Sequence, residues 1–185
     1  MSVIHLIRHG ETDGNGSHYI GRRDLPLNAQ GLVQAADLAD RLHALPIGRI
    51  LSSPLQRALQ TVEPLARRRG LVVEVDAALV EFDFGVLQDL PKSERALNLR
   101  KSHALVPVEG GESLKLVWDR LRPFASRLLG ALRPGEDVAV VGHYWSNRML
   151  YGLLNGLRFE DALLIADYKP KNGSAVEIAL PVIAV

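Results

Sequence analysis

Two periodicities alternate along this chain. Short, mostly apolar stretches are separated by others in which apolar residues return every three or four positions. Of the first kind, Val3–Ile7 is an apolar run ending near a Gly that suits a strand buried on both faces, and Gly48–Ser52, Leu71–Val75 and Asp137–Val141 are further strand candidates. The second kind predicts helices. Leu32, Ala35, Ala36, Ala39 and Leu42 place one over roughly Asn28–Ala44, with Asn28 as N-cap. A second opens at Ser53-Pro54, residues favoured at a helix start, and runs to Arg69 with Gly70 as its stop and Pro64 weakening its middle. A third covers Ser113–Leu132 on Leu114, Val117, Leu121, Leu128 and Leu132, with a kink expected at Pro123. A fourth follows Gly142-His143 through Leu154, and Ser174–Leu180 closes as a strand. Strands alternating with helices predict an α/β fold, a three-layer α/β/α sandwich around a mostly parallel sheet. Between Gly85 and Gly111 the periodicity fails, so about 86–112 is expected to be a short cap-like insertion in a single domain spanning 1–185.

Composition narrows this picture mainly by exclusion. The 185 residues are 47% hydrophobic and 23% charged, enough for a sizeable core. With 22 Lys and Arg against 21 Asp and Glu there is no basic field to suggest nucleic acid. Cysteine is absent, which removes disulfides, thiolate nucleophiles and Cys-based metal sites. Arg8 breaks the opening apolar run, so no secretory leader is expected, and no run approaches the ~20 residues of a membrane span. A cytoplasmic protein with no membrane or nucleic-acid partner is the simplest expectation.

In open α/β sheets, ligands bind beyond the carboxyl ends of the strands. Four patterns fall there: Arg8-His9-Gly10, Ser52–Arg57, Glu81–Gly85 and Gly142-His143. Two Arg, two His and a carboxylate would meet at one rim. Two guanidinium groups can hold a phosphoryl group, and a neutral imidazole is a good nucleophile at phosphorus. A second imidazole can donate to a phosphate oxygen, and a carboxylic acid can protonate a leaving alkoxide and then activate water. Glycine beside the nucleophile lets phosphate approach the backbone.

These residues carry a resemblance. Leu6–Thr12 (LIRHGET) resembles the opening motif of the histidine phosphatase superfamily, the phosphoglycerate-mutase-like fold. The chain also holds Gly21-Arg22-Arg23-Asp24-Leu25-Pro26-Leu27 with Gly31, then Ser52-Ser53-Pro54-Leu55-Gln56-Arg57-Ala58-Leu59-Gln60-Thr61. Leu79–Gly85 (LVEFDFG) and Gly110-Gly111-Glu112-Ser113 complete five motifs in the family's order across residues 3–180. The resemblance implies His9 as a phosphorylated nucleophile, with Arg8, Arg57 and His143 completing the phosphate pocket and Glu81 as proton donor. It also implies Asn15 and Gly21 on the substrate side, no cofactor and no metal. Where the family usually has Gly after its second His, this chain has Tyr144-Trp145, so Tyr144 either narrows the pocket or contacts substrate. Val86-Leu87-Gln88-Asp89 stands where the family often has W-E-G.

Alternatives remain open at this level. Asp83, two positions from Glu81, is a rival acid. His5 and His9 have a metal-binding spacing only on a helix; on a strand they lie ~13 Å apart and Arg8 would repel a cation, so a metal site there is rejected. Lys92, Arg95, Arg100, Lys101 and His103 either attract an anionic substrate or form a solvated face, and His18, His43 and His103 point nowhere in particular. The leading expectation is a phosphomonoesterase acting on a small phosphorylated metabolite. A phosphoglycerate-mutase-type phosphotransferase and a non-catalytic phospho-ligand binder are the alternatives. The apolar tail Ala179–Val185 raises the expectation of a homodimer.

Overall fold

The computed structural model describes residues 2–92, 98–165 and 168–180. Its elements run β1 (Ser2–Arg8), α1 (Ala29–Leu42), β2 (Ile47–Ser52), α2 (Gln56–Arg69), β3 (Val73–Val75), α3 (Leu99–Ser102), α4 (Leu114–Gly130), β4 (Asp137–Gly142), α5 (Tyr144–Leu154), α6 (Phe159–Leu164) and β5 (Ala175–Leu180). The sheet order is β3-β2-β4-β1-β5. The β1–β4, β2–β4 and β2–β3 pairs are parallel, while β5 joins β1 antiparallel at one edge. The mostly parallel sheet between helices is the α/β architecture that the alternation predicts. None of the described helices is long and apolar enough to cross a membrane.

The period-two alternation of the strands divides the core into two layers. On one face Ile4, Leu6, Val138, Val140 and Ile178 pack with residues of α4, α5 and α6 and with Leu79 and Phe82. On the other, Ile7, Ile47, Ile50, Ala139 and Val141 pack with Leu38, Ala39 and Leu42 of α1 and with Ala58, Val62 and Leu65 of α2. All six residues of β4 are buried, as befits a strand covered on both sides. The register then sets the functional edge. Arg8 lies opposite Gly142, and Ser52 opposite Val141, so β1, β2 and β4 end level with one another.

Several boundaries differ from the sequence expectation for identifiable reasons. Asn28 does cap α1, its Oδ1 accepting from Gly31 N–H at 2.8 Å. The buried face of α1 is Gly31, Ala35, Leu38, Ala39 and Leu42, whereas Leu32 is 54% exposed. Ser53 does not cap α2. Its Oγ is engaged by His143 at 2.8 Å, the helix starts at Gln56, and Asp24 Oδ1 accepts the Gln56 N–H at 2.7 Å instead. Both α2 and α4 are helical through Pro64 and Pro123. Leu71 lies just past α2 and closes its last turn, its N–H bonded to Ala66 C=O at 3.0 Å, and β3 is limited to three residues, Val73–Val75. The short helices α3 and α6 have no counterpart in the periodicity analysis. Of the 86–112 stretch, 93–97 lies outside the described residues, as do Arg95 and the end of the apolar tail, 181–185.

Helix α1 packs directly against the loop after β1. A Cβ on Gly31 would stand 2.1 Å from Glu11 C=O and 2.9 Å from Glu11 N, both backbone atoms that cannot rotate away. Gly31→Ala should therefore destabilise the fold by about 1–3 kcal/mol through overpacking. Gly130→Ala, at an exposed position where a Cβ meets nothing within 4 Å, should be neutral or slightly stabilising. Urea unfolding of the two variants checks the contrast, and equal effects would contradict it.

Candidate active site

The level strand ends open into a cavity of about 360 Å³ whose wall includes Arg8, His9, Asn15, Gly21, Arg57, Glu81 and Tyr144. His9 follows β1 directly, and its N–H is bonded to Gly142 C=O at 3.1 Å, which ties it to the end of β4. Its Nδ1 lies 2.6 Å from Gly10 C=O. A carbonyl only accepts, so Nδ1 carries the hydrogen and Nε2 keeps its lone pair. Thr61 Oγ1 accepts from Gly10 N–H at 2.8 Å, and Asn172 Nδ2 donates to His9 C=O at 3.0 Å, so the loop is held by α2 and by the turn before β5.

Arg57 enters from the first turn of α2 and is almost wholly buried. Its Nη1 donates to Arg23 C=O at 2.6 Å and Nη2 to Gly21 C=O at 2.7 Å. Its Nε donates to His143 Nδ1 at 3.2 Å. Each Nη has a second hydrogen, so the fork holds its own loop and still has donors to offer. Gly21 has φ +52°, and a Cβ there would meet the Phe84 ring at 2.9 Å, so the carbonyl that Arg57 needs is presented by a residue without a side chain. Arg8 donates from Nη1 to Pro170 C=O at 3.0 Å, and its guanidinium lies 5.3 Å from the centre of the Tyr144 ring. Its buried Nε has no partner among the described residues.

His143 stands behind this wall. It is fully buried, its ring 5.0 Å from that of His9, and it is absent from the cavity lining. With Nδ1 accepting from Arg57, its Nε2–H donates to Ser53 Oγ at 2.8 Å. Both nitrogens are thus committed to the protein, and the ring orients Arg57.

Glu81 is held at the start of α5. Its Oε1 accepts from the N–H groups of Phe82 at 2.8 Å and of Trp145 and Ser146 at 3.1 Å. Oε2 has only a longer 3.2 Å contact with Trp145 N–H, which leaves it the freer oxygen. Asp83 is engaged elsewhere, near Arg22 at 3.4 Å and accepting Gly85 N–H at 2.9 Å, and it is not part of the cavity wall. Asn15 lines the cavity with Oδ1 accepting from both the N–H and the hydroxyl of Thr12 at 2.7 Å.

The cavity also draws in His18, Tyr19 and Trp145, to which the sequence assigned no role, and Lys92, one of the insertion's cations that the sequence offered for attracting an anionic substrate. Glu81 is the sole carboxylate among the described wall residues, against Arg8, Arg57 and Lys92. Thr61 could have been found, since it ends the Ser52–Thr61 motif. Asn172, in the turn before β5, had no sequence signal.

Electrostatics follow from this placement. Burial, then the charge of Arg57 and then that of Arg8, hold His9 well below the ordinary histidine range. Burial, Arg57 and His9 do the same for His143. Burial also brings Arg57 down to about 10, which leaves it charged at neutral pH. One neutral imidazole and two guanidinium groups thus meet at the cavity, with the second neutral imidazole behind Arg57.

Comparison with known proteins agrees. Residues 4–179 match the histidine phosphatase superfamily (branch 1). The chain belongs to that superfamily. Among its relatives, the probable phosphoglycerate mutase GpmB of Citrobacter koseri is 34% identical over 151 residues, covering 77% of this chain and 70% of that protein. A mycobacterial glucosyl-3-phosphoglycerate phosphatase, solved in complex with VO3, superposes with a TM-score of 0.86 at 29% identity, covering 97% of this chain and 93% of that one. The alpha-ribazole phosphatase from Shigella flexneri gives 0.82 at 26% identity, covering 97% and 91%. Histidine phosphatase membership thus comes with phosphatases as structural neighbours and with mutases among the sequence relatives.

The depressed proton affinity of both rings makes a testable statement. By NMR, neither His9 nor His143 should titrate as pH falls through ~6.5, the unfolded value. Because the folded rings bind protons less readily than unfolded ones, their stability contribution is complete above that pH and shrinks as pH falls below it. Arg8→Met, which removes one repelling charge, should move the His9 titration upward. A His9 ring that titrates near 6.5 in the wild type would contradict the analysis.

Proposed function

We propose that the protein is a metal-independent phosphomonoesterase that hydrolyses a small phosphorylated metabolite through a phosphohistidine intermediate on His9. The observation that carries this reading is the Nδ1–H bond from His9 to Gly10 C=O, which directs an unprotonated Nε2 to a rim shared with Arg8 and Arg57. In the first step the Nε2–P bond forms as the P–O bond to the alcohol breaks, and Glu81 gives a proton to the departing oxygen. In the second, water attacks phosphorus, Glu81 takes its proton, and phosphate leaves with His9 restored. The two guanidinium groups neutralise the equatorial oxygens in both steps, the charge that a metal would otherwise supply. His143 and Ser53 hold Arg57 in place, and Asn15, Gly21 and Tyr144 bound the substrate side. In this reading the described parts of the 86–112 stretch serve as its cap, contributing Lys92 and Leu99 to the wall, with Lys92 as the cationic contribution.

The GpmB relative favours a second reading, a mutase that returns the phosphoryl group to its product. Incubation with 3-phosphoglycerate and 2,3-bisphosphoglycerate separates the two, since a mutase yields 2-phosphoglycerate and a phosphatase yields free phosphate. Turnover of an aryl phosphate would eliminate a purely binding role.

Acid-labile, base-stable label should appear on His9 when the enzyme is incubated with ³²P-substrate in excess chelator and then quenched. His9→Ala should carry none and should lose essentially all turnover. Label on another residue, or a requirement for added divalent ion, would sink the mechanism.

Leaving-group dependence tests Glu81. Glu81→Gln should slow hydrolysis of alkyl phosphates by about 10²–10⁴-fold, the range of general acid–base catalysis. It should slow p-nitrophenyl phosphate much less, because that phenolate leaves without a proton. Equal losses on both would show that Glu81 positions phosphate or water and is not the acid.

A further inference from the structure

The tautomer of His9 depends on one carbonyl, that of Gly10, and a glycine is the residue least able to hold a carbonyl still. No side chain fits at this position: a Cβ on Gly10 would stand 2.8 Å from Gly31 C=O and 3.1 Å from Leu27 Cδ2. The conformational freedom of Gly10 must therefore be removed by its surroundings. A peptide unit is planar and turns as one piece, so fixing its N–H also fixes the C=O on its other side. If the Gly10–Glu11 plane turned over, its N–H would replace its C=O beside Nδ1. Nδ1 would then accept, the ring hydrogen would move to Nε2, and the lone pair offered to phosphorus would be gone.

Two side chains from other elements grip that plane from its opposite edges. Gln34, on α1, accepts the Glu11 N–H with Oε1 at 2.8 Å. Asn172 donates from Nδ2 to Gly10 C=O at 3.3 Å, beside its 3.0 Å bond to His9 C=O. A carbonyl has two lone pairs, so the Asn172 contact and the 2.6 Å bond from His9 Nδ1–H coexist on Gly10. The preceding plane is held in the same way, by Thr61 Oγ1 on Gly10 N–H and by Asn172 Nδ2 and Gly173 N–H on His9 C=O. Gln34 reaches the loop because Gly31, three residues earlier on the same helix face, lets α1 approach it closely. Gln34 also seats the turn before β5, since a Cβ on Gly173 would lie 2.6 Å from Gln34 Cβ. The two grips bear on one another as well as on the peptide between them.

We propose that Gln34 and Asn172 are positioning residues for His9: they lock the Gly10–Glu11 peptide so that its carbonyl keeps the hydrogen on Nδ1 and leaves Nε2 free to attack. The proposal rests on the phosphohistidine reading and extends it to two residues outside the cavity wall. Both side chains are half-buried, and in the sequence they read as ordinary helix surface and ordinary turn.

The test reads the ring nitrogens of His9 directly, so that it does not depend on turnover. Gln34→Met keeps the length and stem of the side chain and removes the acceptor, whereas Gln34→Glu restores an acceptor at the same reach. Asn172→Ala removes the donor. In ¹⁵N-histidine-labelled wild type at neutral pH, Nδ1 should resonate as a protonated ring nitrogen and Nε2 as a bare one. In Gln34→Met and in Asn172→Ala the two resonances should move towards each other as the second tautomer becomes populated. In each, kcat for a phosphomonoester should fall about 3–10-fold, the effect of one hydrogen bond of ordinary net strength. The Kd of inorganic phosphate, measured by calorimetry, should stay at the wild-type value, because Arg8 and Arg57 are untouched. Gln34→Glu should recover the wild-type tautomer and most of kcat. The proposal is overturned if both variants keep the wild-type nitrogen shifts, or if Gln34→Glu behaves as Gln34→Met does. It is equally overturned if kcat and phosphate affinity decline together, as a general loosening of the site would make them. Mixing of the tautomers as expected, in a protein whose wild type hydrolyses no phosphomonoester, would retain the positioning and refute the phosphatase reading.

Discussion

One buried guanidinium organises this molecule's functional end. Removing a full charge from water is unfavourable unless every face of it is met. Arg57 meets that condition with the carbonyls of Gly21 and Arg23 and the imidazole of His143. Those three partners belong to the loop between β1 and α1 and to the end of β4. The side chain thereby fixes the spacing of segments that are far apart in sequence. It also explains why His143 is neutral and directed away from the opening: an imidazolium beside Arg57 would add a second unmatched charge.

The sheet supplies what the guanidinium needs, three strand ends at equal height. A parallel register follows from crossover connections, and the helices that make the crossovers also seal both faces. Arg57 comes from the layer of α1 and α2, whereas Glu81 is held by the first turn of α5, on the opposite layer. Across the rim, Arg57 comes from one layer and the carboxylate is held by the other, while Arg8 extends from the end of β1 in the sheet itself.

Much of this was legible in the chain. Strand runs such as Val3–Ile7 and Asp137–Val141 declare themselves because both faces are buried, and Asn28 is a cap whose side chain does what its type suggests. The family motifs assembled Arg8, His9, Arg57 and Glu81 into one neighbourhood. Their hydrogen-bond roles were not legible. Ser53 has the composition of a helix cap, but a distant imidazole competes for its hydroxyl, and no local pattern can report that. His143 reads as a second phosphate ligand, yet a ring between Arg57 and Ser53 has no free N–H. Asp83 and Glu81 are two residues apart, and only the position of Arg22 and of the α5 amides separates their environments. His18 and Asn172 reach the site through loop geometry, which leaves no periodic trace.

The division of the core into two layers has a bearing on how the molecule loses function. Neither layer contains a complete site, because the Arg57 fork is rooted in one and the Glu81 carboxylate is held by the other. A partial opening that freed only α1 and α2, or only α5 and α6, would leave half the sheet covered and most backbone hydrogen bonds intact, yet it would break up the cavity wall. Catalytic competence is therefore a coincidence detector for the two layers, lost at the first local unfolding event on either side rather than at the last.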